Sequence, residues 1–579
     1  MGGRRRWFRA VALDYDGTLA TEGHVAPGVG AALAKARRDG LRLVLVTGRI
    51  LEELRAVFPD VDSCFDAIVG ENGAVLSTGG CHRVLVEPVD AALDEELGRR
   101  GIAHRRGEVL VGCAAADEHG VLSAVRRLGL ELQLVRNRSE LMIVPPGITK
   151  GTGLLAALAT LGLSHHNTVA VGDGENDHSL LHAAEMGVAV ADAVPSLKEQ
   201  ADLVLERSNG EGARELLGGG VLADRVVIHP ARWSVVLGAD DNGEPVRLPA
   251  SQLNVLVAGG SGDGKSYVTG LLAEQLMALD YSVLVLDPEG DHVGLGRLPG
   301  VLVLGGQFHL PPPAAVVPLL RHREASLVLD LSHLDPTAQD VYLALLPAEI
   351  EAQRAATGLP HWLIVDEAQR AIGPHGPALP VFDPARKGHC LVTWRPAKLS
   401  ADALVGVDAV LALTNPAPQE SLVDITAAVA GMPRAEIAGL LTGPTGRCVV
   451  VQRASPGQAV VVRTGPRRTR HFRHDEKYSV TTVDPGRRFF VRDEDDRDRG
   501  SVGNLVELEE LLATCDRSVL RHHCGNRDLS RWVRDVFHDT RLASRLRAAE
   551  EVLDGGAPAA VAEAVRLDLI AALQRRRAR

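Results

Sequence analysis

Short apolar runs that end in polar or charged residues recur through most of this chain. A run of this kind, bounded by turn-forming residues, is typical of a buried strand. Each run therefore predicts a strand whose carboxyl end carries polar side chains. The runs occupy residues 8–14, 41–46, 168–171, 255–258, 282–286, 326–331, 361–365 and 389–394.

Helical spacing of apolar residues appears in other stretches. Residues 267–279 follow one strand directly, and a helical stretch follows residue 332 through 352. From residue 502 onward the spacing recurs in LVELEELLATC, WVRDVF and LASRLRAAEEVL. The pattern predicts an α/β fold with parallel sheets, followed by a small helical C-terminal domain.

A glycine-rich loop joins the strand 255–258 to the helix 267–279. It reads Gly259, Gly260, Ser261, Gly262, Asp263, Gly264, Lys265, Ser266, which fits G-x-x-x-x-G-K-[ST]. Glycines such as Gly259, Gly262 and Gly264 let backbone N–H groups curl around a phosphate at a helix N-terminus. Lys265 would reach the terminal phosphates, and Ser266 would hold Mg²⁺. A flexible linker would not explain a Lys-Ser pair at this offset.

Four polar clusters in the first third of the chain form a second candidate site. Asp14 and Asp16 follow the first strand, and Thr47 follows the second. Lys150 begins a helix-like stretch, and residues 172–177 (GDGEND) follow a further strand. Carboxylates can attack phosphorus, transfer protons and bind Mg²⁺, while a lysine neutralises phosphate.

Together these clusters resemble the haloacid-dehalogenase (HAD) phosphatase superfamily over about residues 8–210. The resemblance implies that Asp14 is the nucleophile and Asp16 the general acid/base. It implies that Thr47 and Lys150 bind the phosphoryl group. The implied Mg²⁺ site consists of carboxylates, namely Asp14, Asp16, Asp173 and Asp177. An inactive HAD fold kept as a scaffold is the alternative.

The interval between Thr47 and Lys150 is too long for a simple crossover. It contains strand-like residues 83–86 and helix-like residues 89–98. This resembles the inserted αβ cap of HAD phosphatases that act on sugar phosphates and similar metabolites. The cap, expected at about 75–145, implies a small phosphorylated metabolite as substrate.

Acidic residues also follow a strand of the glycine-loop region. Asp366 is placed to hold Mg²⁺ through water, and Glu367 to orient the water that attacks the γ-phosphate of ATP. The order AGGSGDGKS, VLDPEGDH, LDLS, IVDEAQR, TWRP resembles the HerA/FtsK branch of DNA-translocating P-loop ATPases over about residues 225–465. This implies a RecA-like fold and ATP as ligand.

The same resemblance implies a ring, expected to be a hexamer, with DNA as a candidate partner. An arginine of one subunit would complete its neighbour's site, and Arg395 and Arg447 are candidates. A surface salt bridge is the alternative for Arg395. Trp394 stands where that branch commonly carries a polar residue that senses the γ-phosphate, so coupling of hydrolysis to movement is not implied.

The composition narrows the class of protein. The 579 residues are 45% hydrophobic and 24% charged, and the formal net charge is −11. That charge argues against a protein that coats nucleic acid with its whole surface. Without an apolar run of about 18–20 residues or a signal-peptide pattern, we expect no membrane contact and a cytoplasmic location. Seven scattered cysteines fit a reducing compartment.

Several connecting and terminal stretches have weaker patterns. Residues 210–220 are expected to be a linker, and a hairpin is expected around 241–243. The basic stretch 463–477 is either a nucleic-acid contact or a solvated linker. Residues 486–500 are expected to form an exposed turn region. Four residues, Cys515, His522, His523 and Cys524, are predicted to be helix core and cap rather than a metal site.

The sequence thus predicts a Mg²⁺-dependent HAD phosphatase (1–215), a HerA/FtsK-like ATPase (222–480) and a helical accessory domain (481–579). Two alternatives stay open. In one, the P-loop region only senses nucleotide or drives oligomerisation. In the other, both regions process nucleic-acid ends, although Glu367 favours water over a hydroxyl acceptor.

Overall fold

The computed structural model describes residues 6–21, 23–321, 325–469, 483, 487–537, 539–553 and 558–577. The chain forms two compact units, Met1–His471 and Phe472–Arg579. The first contains two large sheets and the second is mainly helical. The predicted fold class, α/β followed by a helical region, is confirmed.

The first sheet has, among the described residues, eight strands. The first six strands in spatial order are parallel and the last two antiparallel. The order is Leu203–Val204, Met186–Ala189, Thr168–Gly172, Ala10–Leu13, Arg42–Val46, Ala67–Gly70, Val75–Thr78, Cys81–Val84. Helices accompany it at Val29–Arg38, Leu51–Val57, Val61–Cys64, Lys150–Leu161, His178–Ala183, Pro195–Gln200 and Asn209–Gly218. The central strands are buried throughout, which explains their continuous apolar runs.

A separate antiparallel sheet is formed by residues that lie, in the sequence, between the strand Cys81–Val84 and Lys150. Its strands, in spatial order, are Gln133–Asn137, Glu140–Val144, Val111–Ala114 and His104–Arg106. Helices Ala92–Arg99 and Glu118–Leu128 cover it and share a small apolar core with it. This αβ insertion is called the cap below.

The second large sheet, counted over the described part of the chain, has eleven strands. The four strands at one edge are antiparallel: Pro245–Pro249, Ser234–Ala239, Ala459–Thr464, Arg447–Gln452. The other seven are parallel to one another: Ala409–Leu413, Asn254–Ala258, His389–Thr393, Trp362–Val365, Val283–Asp287, Ser326–Asp330, Val301–Gly305. The expected hairpin around residues 241–243 is confirmed by the pairing of the first two strands.

Helices lie between the strands of the second sheet. They are Lys265–Ala278, Pro313–Val316, Pro336–Thr357, Ala368–Ala371, Ala401–Val405, Glu420–Ala430 and Arg434–Leu441. The long helix Pro336–Thr357 begins at Asp335, whose side chain accepts hydrogen bonds from the N–H groups of Thr337 and Ala338. That arrangement is a side-chain cap, which satisfies donors that have no partner within the helix.

The two large sheets are joined by a buried polar cluster, called the seam below. Glu185 is fully buried and accepts hydrogen bonds from Tyr281 at 2.8 Å and from Ser251. His166 contacts Glu185 through Nδ1 at 2.6 Å and the carbonyl of Leu279 through Nε2 at 2.7 Å. The ring of His166 also stacks on Tyr281 at 3.6 Å. One hydrophobic cluster includes residues of both sheets, so the two halves share a core.

The seam lies at the amino ends of parallel strands from both sheets. Glu185 directly precedes Met186–Ala189, and Tyr281 precedes Val283–Asp287. The carboxyl ends of the same strands, where polar residues follow, are therefore on the far sides of the seam.

The expected linker at 210–220 is wrong, because residues Asn209–Gly218 form a helix. Gly210 and Gly212 permit close packing rather than flexibility. A Cβ at Gly210 would lie 2.6 Å from Ala26, and one at Gly212 would collide with the carbonyl of Arg207. Real Cβ atoms do not approach other atoms this closely, so these glycines are required by packing.

The second unit begins, within its described part, with a hairpin of Phe489–Arg492 and Asp498–Val502. The expectation of an exposed turn region at 486–500 is confirmed for residues 494–500, but the pairing of two strands there was not expected. Five helices follow in the described residues: Leu505–Thr514, Arg517–Gly525, Asp528–Phe537, Thr540–Val552 and Ala559–Arg577. They bury an apolar core of their own.

Candidate active sites

The first candidate site lies where strands of the first sheet end. Asp14 follows Ala10–Leu13, and Thr47 follows the neighbouring strand Arg42–Val46. On the other side, Thr168–Gly172 pairs with Ala10–Leu13 and leads into Asp173. Parallel pairing brings these three residues to one edge of the sheet, although they lie far apart in the sequence.

Lys150 is almost completely buried at the first turn of its helix. Its Nζ donates to Asp14 Oδ1 and Asp177 Oδ1, both at 2.6 Å. Burial alone would lower the pKa of Lys150, but the charges of Asp14 and Asp177 raise it above its usual value. Lys150 is therefore a permanent cation beside Asp14.

Three carboxylates crowd around this lysine. Burial and the nearby charge of Asp177 raise the pKa of Asp14 well above its usual range. The same two causes raise the pKa of Asp173 to about 6. Ligand oxygens of Asp14, Asp173 and Asp177 lie within 4.8 Å of one another. Such crowded oxygens are what a hard divalent cation binds, so these residues fit Mg²⁺.

Asp16 is placed differently from the other predicted metal ligands. Its carboxylate forms a two-point ion pair with Arg49, at 2.6 and 2.7 Å. It is outside the group formed by Asp14, Asp173 and Asp177. The structure therefore brings three of the four predicted carboxylates together and leaves the Asp16 side chain outside that group, paired with Arg49.

A cavity of about 250 Å³ opens between the first sheet and the cap. Asp14, Asp16 and Thr47 line it from the sheet, while Arg105 and Arg138 line it from the cap. Arg138 also forms an ion pair with Asp173. Sequence reasoning missed the three arginines that line the cavity, the third being Arg49. Only the third follows a strand end, so the pattern gave no signal for the two on the cap.

Glu71 ties the cap to the main sheet. It is fully buried, and its carboxylate accepts hydrogen bonds from the backbone N–H groups of Glu108, Val109 and Leu110, at 2.8 to 2.9 Å. These bonds fasten the turn between the cap strands His104–Arg106 and Val111–Ala114 to the main sheet.

The second candidate site is at the glycine loop. Gly262 and Gly264 have φ values of 85° and 106°, which side-chain-bearing residues rarely adopt. Lys265 begins the helix Lys265–Ala278, and its Nζ donates to the carbonyl of Gly260 at 2.9 Å. Burial lowers the pKa of Lys265. Its ammonium thus stays within the loop that would receive phosphates.

Acidic residues face this loop from neighbouring strand ends. Ser266 donates to Asp291 at 2.7 Å. Burial alone would raise the pKa of Asp366, but a hydrogen bond of 3.0 Å to His292 and the charge of that histidine hold it below its usual range. Asp366 is therefore ionised, as a carboxylate that serves a metal must be. Asp366 and Ser266 are the residues that fit Mg²⁺ bound with a nucleotide.

Glu367 follows Asp366, and its carboxylate interacts electrostatically with Lys265 of the glycine loop. Burial, and then the charges of Asp366 and Glu289, raise its pKa to about 7. Gln369 donates to its carboxylate and accepts from Thr393 Oγ1 at 2.5 Å. A polar connection therefore reaches Glu367 from the strand end just before Trp394, a feature the motif pattern did not indicate.

The two candidate finger arginines have different surroundings. Arg395 is exposed and lies over the ring of Trp394, with 3.8 Å between the guanidinium carbon and the ring centre. Arg447 is paired with Asp241 at 3.1 Å. The contact of Arg395 is a cation–π interaction, which differs from the salt bridge considered as its alternative.

Comparison with known proteins connects these geometries to families. A family described as haloacid dehalogenase-like hydrolase matches residues 11–87 and 133–217. Phosphoglycolate phosphatase 2 of Saccharolobus solfataricus is 30% identical over 219 residues, which are 36% of this chain and 90% of that protein. The chain belongs to the haloacid dehalogenase-like hydrolases. Its predicted resemblance to that family, and its assignment as a hydrolase, are confirmed.

Further relatives cover the same region. Phosphoglycolate phosphatase of Methanothermobacter thermautotrophicus is 29% identical over 214 residues, covering 36% of this chain and 96% of that protein. A solved haloacid dehalogenase-like hydrolase from B. subtilis is 21% identical, covers 36% of this chain and 99% of that chain, and superposes with a TM-score of 0.32. The family described as helicase HerA, central domain, matches residues 237–338, which confirms the second resemblance.

Other predicted features take part in further contacts, and ligand atoms of His522, His523 and Asp528 lie within 4.8 Å of one another, a spacing that a metal ion could use. Both ring nitrogens of His523 are occupied, by the N–H of Arg492 at 2.9 Å and by Asp528 at 2.8 Å. Within the basic stretch, Arg467 packs against Glu274 and donates to the carbonyl of Ser266, whereas residues 470–477 lie outside the described residues. No helix in the described ranges has the length and apolar composition needed to cross a membrane.

Proposed function

We propose that this HAD-like hydrolase is a Mg²⁺-dependent phosphatase for a small phosphorylated carboxylic acid of the phosphoglycolate type. The observation that supports it most is the cavity of about 250 Å³, which is lined by Asp14 from the sheet and by arginines, Arg105 among them, from the cap. A phosphate held near Asp14 and a carboxylate held by arginine would suit a short substrate with two anionic ends. The relatives that cover this region are named for that substrate.

The protein's own residues account for each step. Lys150 and Thr47 hold the phosphoryl group while Asp14 attacks phosphorus and the ester P–O bond breaks. The leaving oxygen takes a proton from Asp16. Asp16 then removes a proton from a water molecule, which attacks the phosphorus and releases phosphate from Asp14. Mg²⁺ held by Asp14, Asp173 and Asp177 would offset the negative charge of the phosphoryl group.

Arg49 restricts when Asp16 can act as an acid. The ion pair occupies both carboxylate oxygens of Asp16, whereas proton transfer to the leaving oxygen needs one of them free to face the substrate. We infer that substrate binding draws Arg49 away from Asp16. An anionic substrate in the cavity supplies an alternative partner for the guanidinium.

We further propose that the HerA-like region binds and hydrolyses ATP. Lys265 and Ser266 would contact the phosphates and the metal, and Glu367 would orient the attacking water. The connection from Thr393 through Gln369 supports a role for these two residues in positioning Glu367. They would supply the polar function that Trp394 cannot.

The phosphatase proposal is tested with the full chain and a substrate panel. We expect Mg²⁺-dependent release of phosphate from phosphoglycolate, faster than from sugar phosphates or nucleotides. Arg105→Met should raise KM for phosphoglycolate about tenfold and leave an aryl phosphate unaffected, because only the former has a carboxylate. Arg127→Met, an exposed arginine on the cap helix, is the matched control. An equal effect on both substrates would contradict the assigned substrate class.

A further inference from the structure

A second cavity lies beside the seam, remote from both candidate active sites. Its volume is about 40 Å³, and one water molecule takes roughly 10–15 Å³ on the same measure. It therefore has room for about three waters or one small tetrahedral anion. It is lined from the first sheet by Trp7, Arg9 and Asn167, and from the second by Arg354, His361 and Lys387.

The lining is strongly basic. It includes five cationic side chains and one carboxylate, that of Asp224; the cations are Arg6, Arg9, Arg354, Arg386 and Lys387. Arg354 is almost completely buried, and its hydrogen bonds go to the carbonyls of Pro360 and Gly388 and to a ring nitrogen of His389. Burial and the charge of Arg386 lower its pKa to about 9. Arg386 and Lys387 are paired with Glu351 and Asp408, so an anion in the cavity would mainly offset the charges of Arg9 and Arg354.

Several buried polar atoms of the lining have no hydrogen-bond partner among the described residues. The donors are Nε of Arg6 and of Arg9 and Nε2 of His361, and the acceptors are Oδ1 of Asn167 and of Asp224. Buried polar atoms nearly always have a partner in the protein or in bound water, so a group of five at one cavity indicates that a polar occupant fills it.

The identity of each atom as donor or acceptor follows from its fixed neighbours. His361 Nδ1 accepts the N–H of Ser282 at 2.9 Å, so the proton of the neutral ring is on Nε2. Asn167 Nδ2 donates to the carbonyl of Trp7 at 2.8 Å, so its free atom is the oxygen. Asp224 accepts the N–H of Trp7 at 2.9 Å through its other oxygen.

The cavity offers cations, neutral donors and acceptors. This combination favours an anion that can both accept hydrogen bonds and donate one. An ion without protons, such as sulfate, would leave both acceptors unsatisfied and bring its charge close to them. Inorganic phosphate near neutral pH keeps a proton, which it can donate to Asn167 or Asp224. We propose that this cavity is a binding site for inorganic phosphate in its hydrogen-phosphate form, held by Arg9, His361 and Asn167.

A phosphate in this cavity would contact residues that precede strands of both large sheets. Arg9 directly precedes the strand Ala10–Leu13 that leads to Asp14, and His361 directly precedes the strand Trp362–Val365 that leads to Asp366. At about 3.3 Å per residue, each catalytic residue is roughly 16 Å from the cavity. Phosphate bound here would hold the starts of both strands while contacting neither active site.

The test is a calorimetric titration of the full chain with inorganic phosphate, in buffer without divalent cations. We expect saturable binding, weakened at least tenfold by Arg9→Met, which keeps the length of the side chain but removes its charge. His361→Asn, which can still accept the N–H of Ser282 but lacks the Nε2 donor, should weaken it similarly and decides the matter if Arg9→Met does not fold. Arg42→Met, an exposed arginine at the start of a neighbouring strand, should bind as the wild type does.

Two further arms locate and identify the ligand. Lys150→Met and Lys265→Ala should keep phosphate binding; its loss in either would place the phosphate in an active site and overturn the proposal. Sulfate and glycerol 1-phosphate should each bind at least tenfold more weakly. Equal binding of sulfate would refute the role of the acceptors, and equal binding of the ester would refute the size of the site. Absence of any phosphate binding to the wild type would also overturn it.

Discussion

Asp14 and Lys150 show how a single pair of side chains defines the phosphatase site. The lysine is buried and contacts Asp14 at 2.6 Å, so it screens the carboxylate from an incoming phosphate dianion. The nucleophile itself needs an ionised oxygen, which an amide lacks.

We therefore expect Asp14→Asn to lower phosphatase turnover by roughly a thousandfold or more, as for other lost nucleophiles. ATP hydrolysis should be unchanged, because the two sites lie on opposite sides of the seam. Phosphate release from an aryl phosphate and from ATP measures both. Asp62→Asn, in an exposed ion pair with Arg55, is the control and should retain both activities. Persistent turnover in Asp14→Asn would remove the nucleophile assignment.

Substitutions of Lys265 and Glu367 should have separate effects, one on nucleotide affinity and the other on the rate of ATP hydrolysis. The lysine faces phosphates already present in bound ATP, whereas the glutamate acts on the attacking water. We expect Lys265→Ala to lose ATP binding and Glu367→Gln to keep it while losing hydrolysis. Equilibrium binding of a fluorescent ATP analogue, measured beside phosphate release, distinguishes these effects. Equal loss of affinity in both variants would contradict the roles assigned.

At the scale of elements, the seam makes two sheets one folding unit. Glu185 is fully buried, and removing it would leave His166, Tyr281 and Ser251 without their shared acceptor. Removing one partner from a buried polar cluster of this kind typically lowers the free energy of unfolding by roughly 3–5 kcal/mol.

We expect Glu185→Ala to lower the free energy of unfolding by about that amount, roughly 3–5 kcal/mol. Both activities should be lost together on heating, because the sheets share one core. Urea unfolding followed by fluorescence gives the free energy, and residual activity after heating gives the coupling. Glu211→Ala, in an exposed pair with Arg214, should change stability by less than about 0.5 kcal/mol. Independent inactivation of the two activities would show that the seam does not couple them.

The sequence predicts the strands well because each buried strand is a continuous apolar run. It also predicts which residues follow the strands, among them Asp14, Thr47 and Asp173. It cannot predict the seam, because His166 and Tyr281 are 115 positions apart and each alone looks like an ordinary core residue. The helix Asn209–Gly218 was missed because its glycines serve packing.

Ion pairs between residues that lie far apart in the sequence could not be predicted either. Arg138 is on a cap strand, 35 positions from Asp173, and nothing in the local pattern marks it as a site residue. The arginines of the phosphate cavity are scattered in the same way. Their common position appears only when the two sheets are placed together.

At the scale of the whole molecule, the HerA resemblance predicts assembly into a ring. Arg395 is exposed, and its stacking on Trp394 keeps it at the protein surface, where a neighbouring subunit's nucleotide would be reached. An arginine that completes a neighbour's site can be worth on the order of a thousandfold in rate.

We accordingly expect the specific activity of ATP hydrolysis to fall on dilution, as rings dissociate. Light scattering across the same concentrations should show a hexamer becoming smaller species. Arg395→Met should lower turnover without changing ATP affinity, whereas Arg434→Met, another exposed arginine, should have no effect. Constant specific activity from a monomer at all concentrations would favour a nucleotide-sensing role.

The two sheets meet at the amino ends of their strands, and this arrangement determines how a molecule could pass between the two candidate sites. The mouths of the two reaction sites open into separate regions of solvent, with a solid core between them. A molecule released by one site would have to diffuse through bulk solution to reach the other. The arrangement therefore argues against channelling of an intermediate between the two proposed activities, and one folding unit would keep those activities in a fixed ratio.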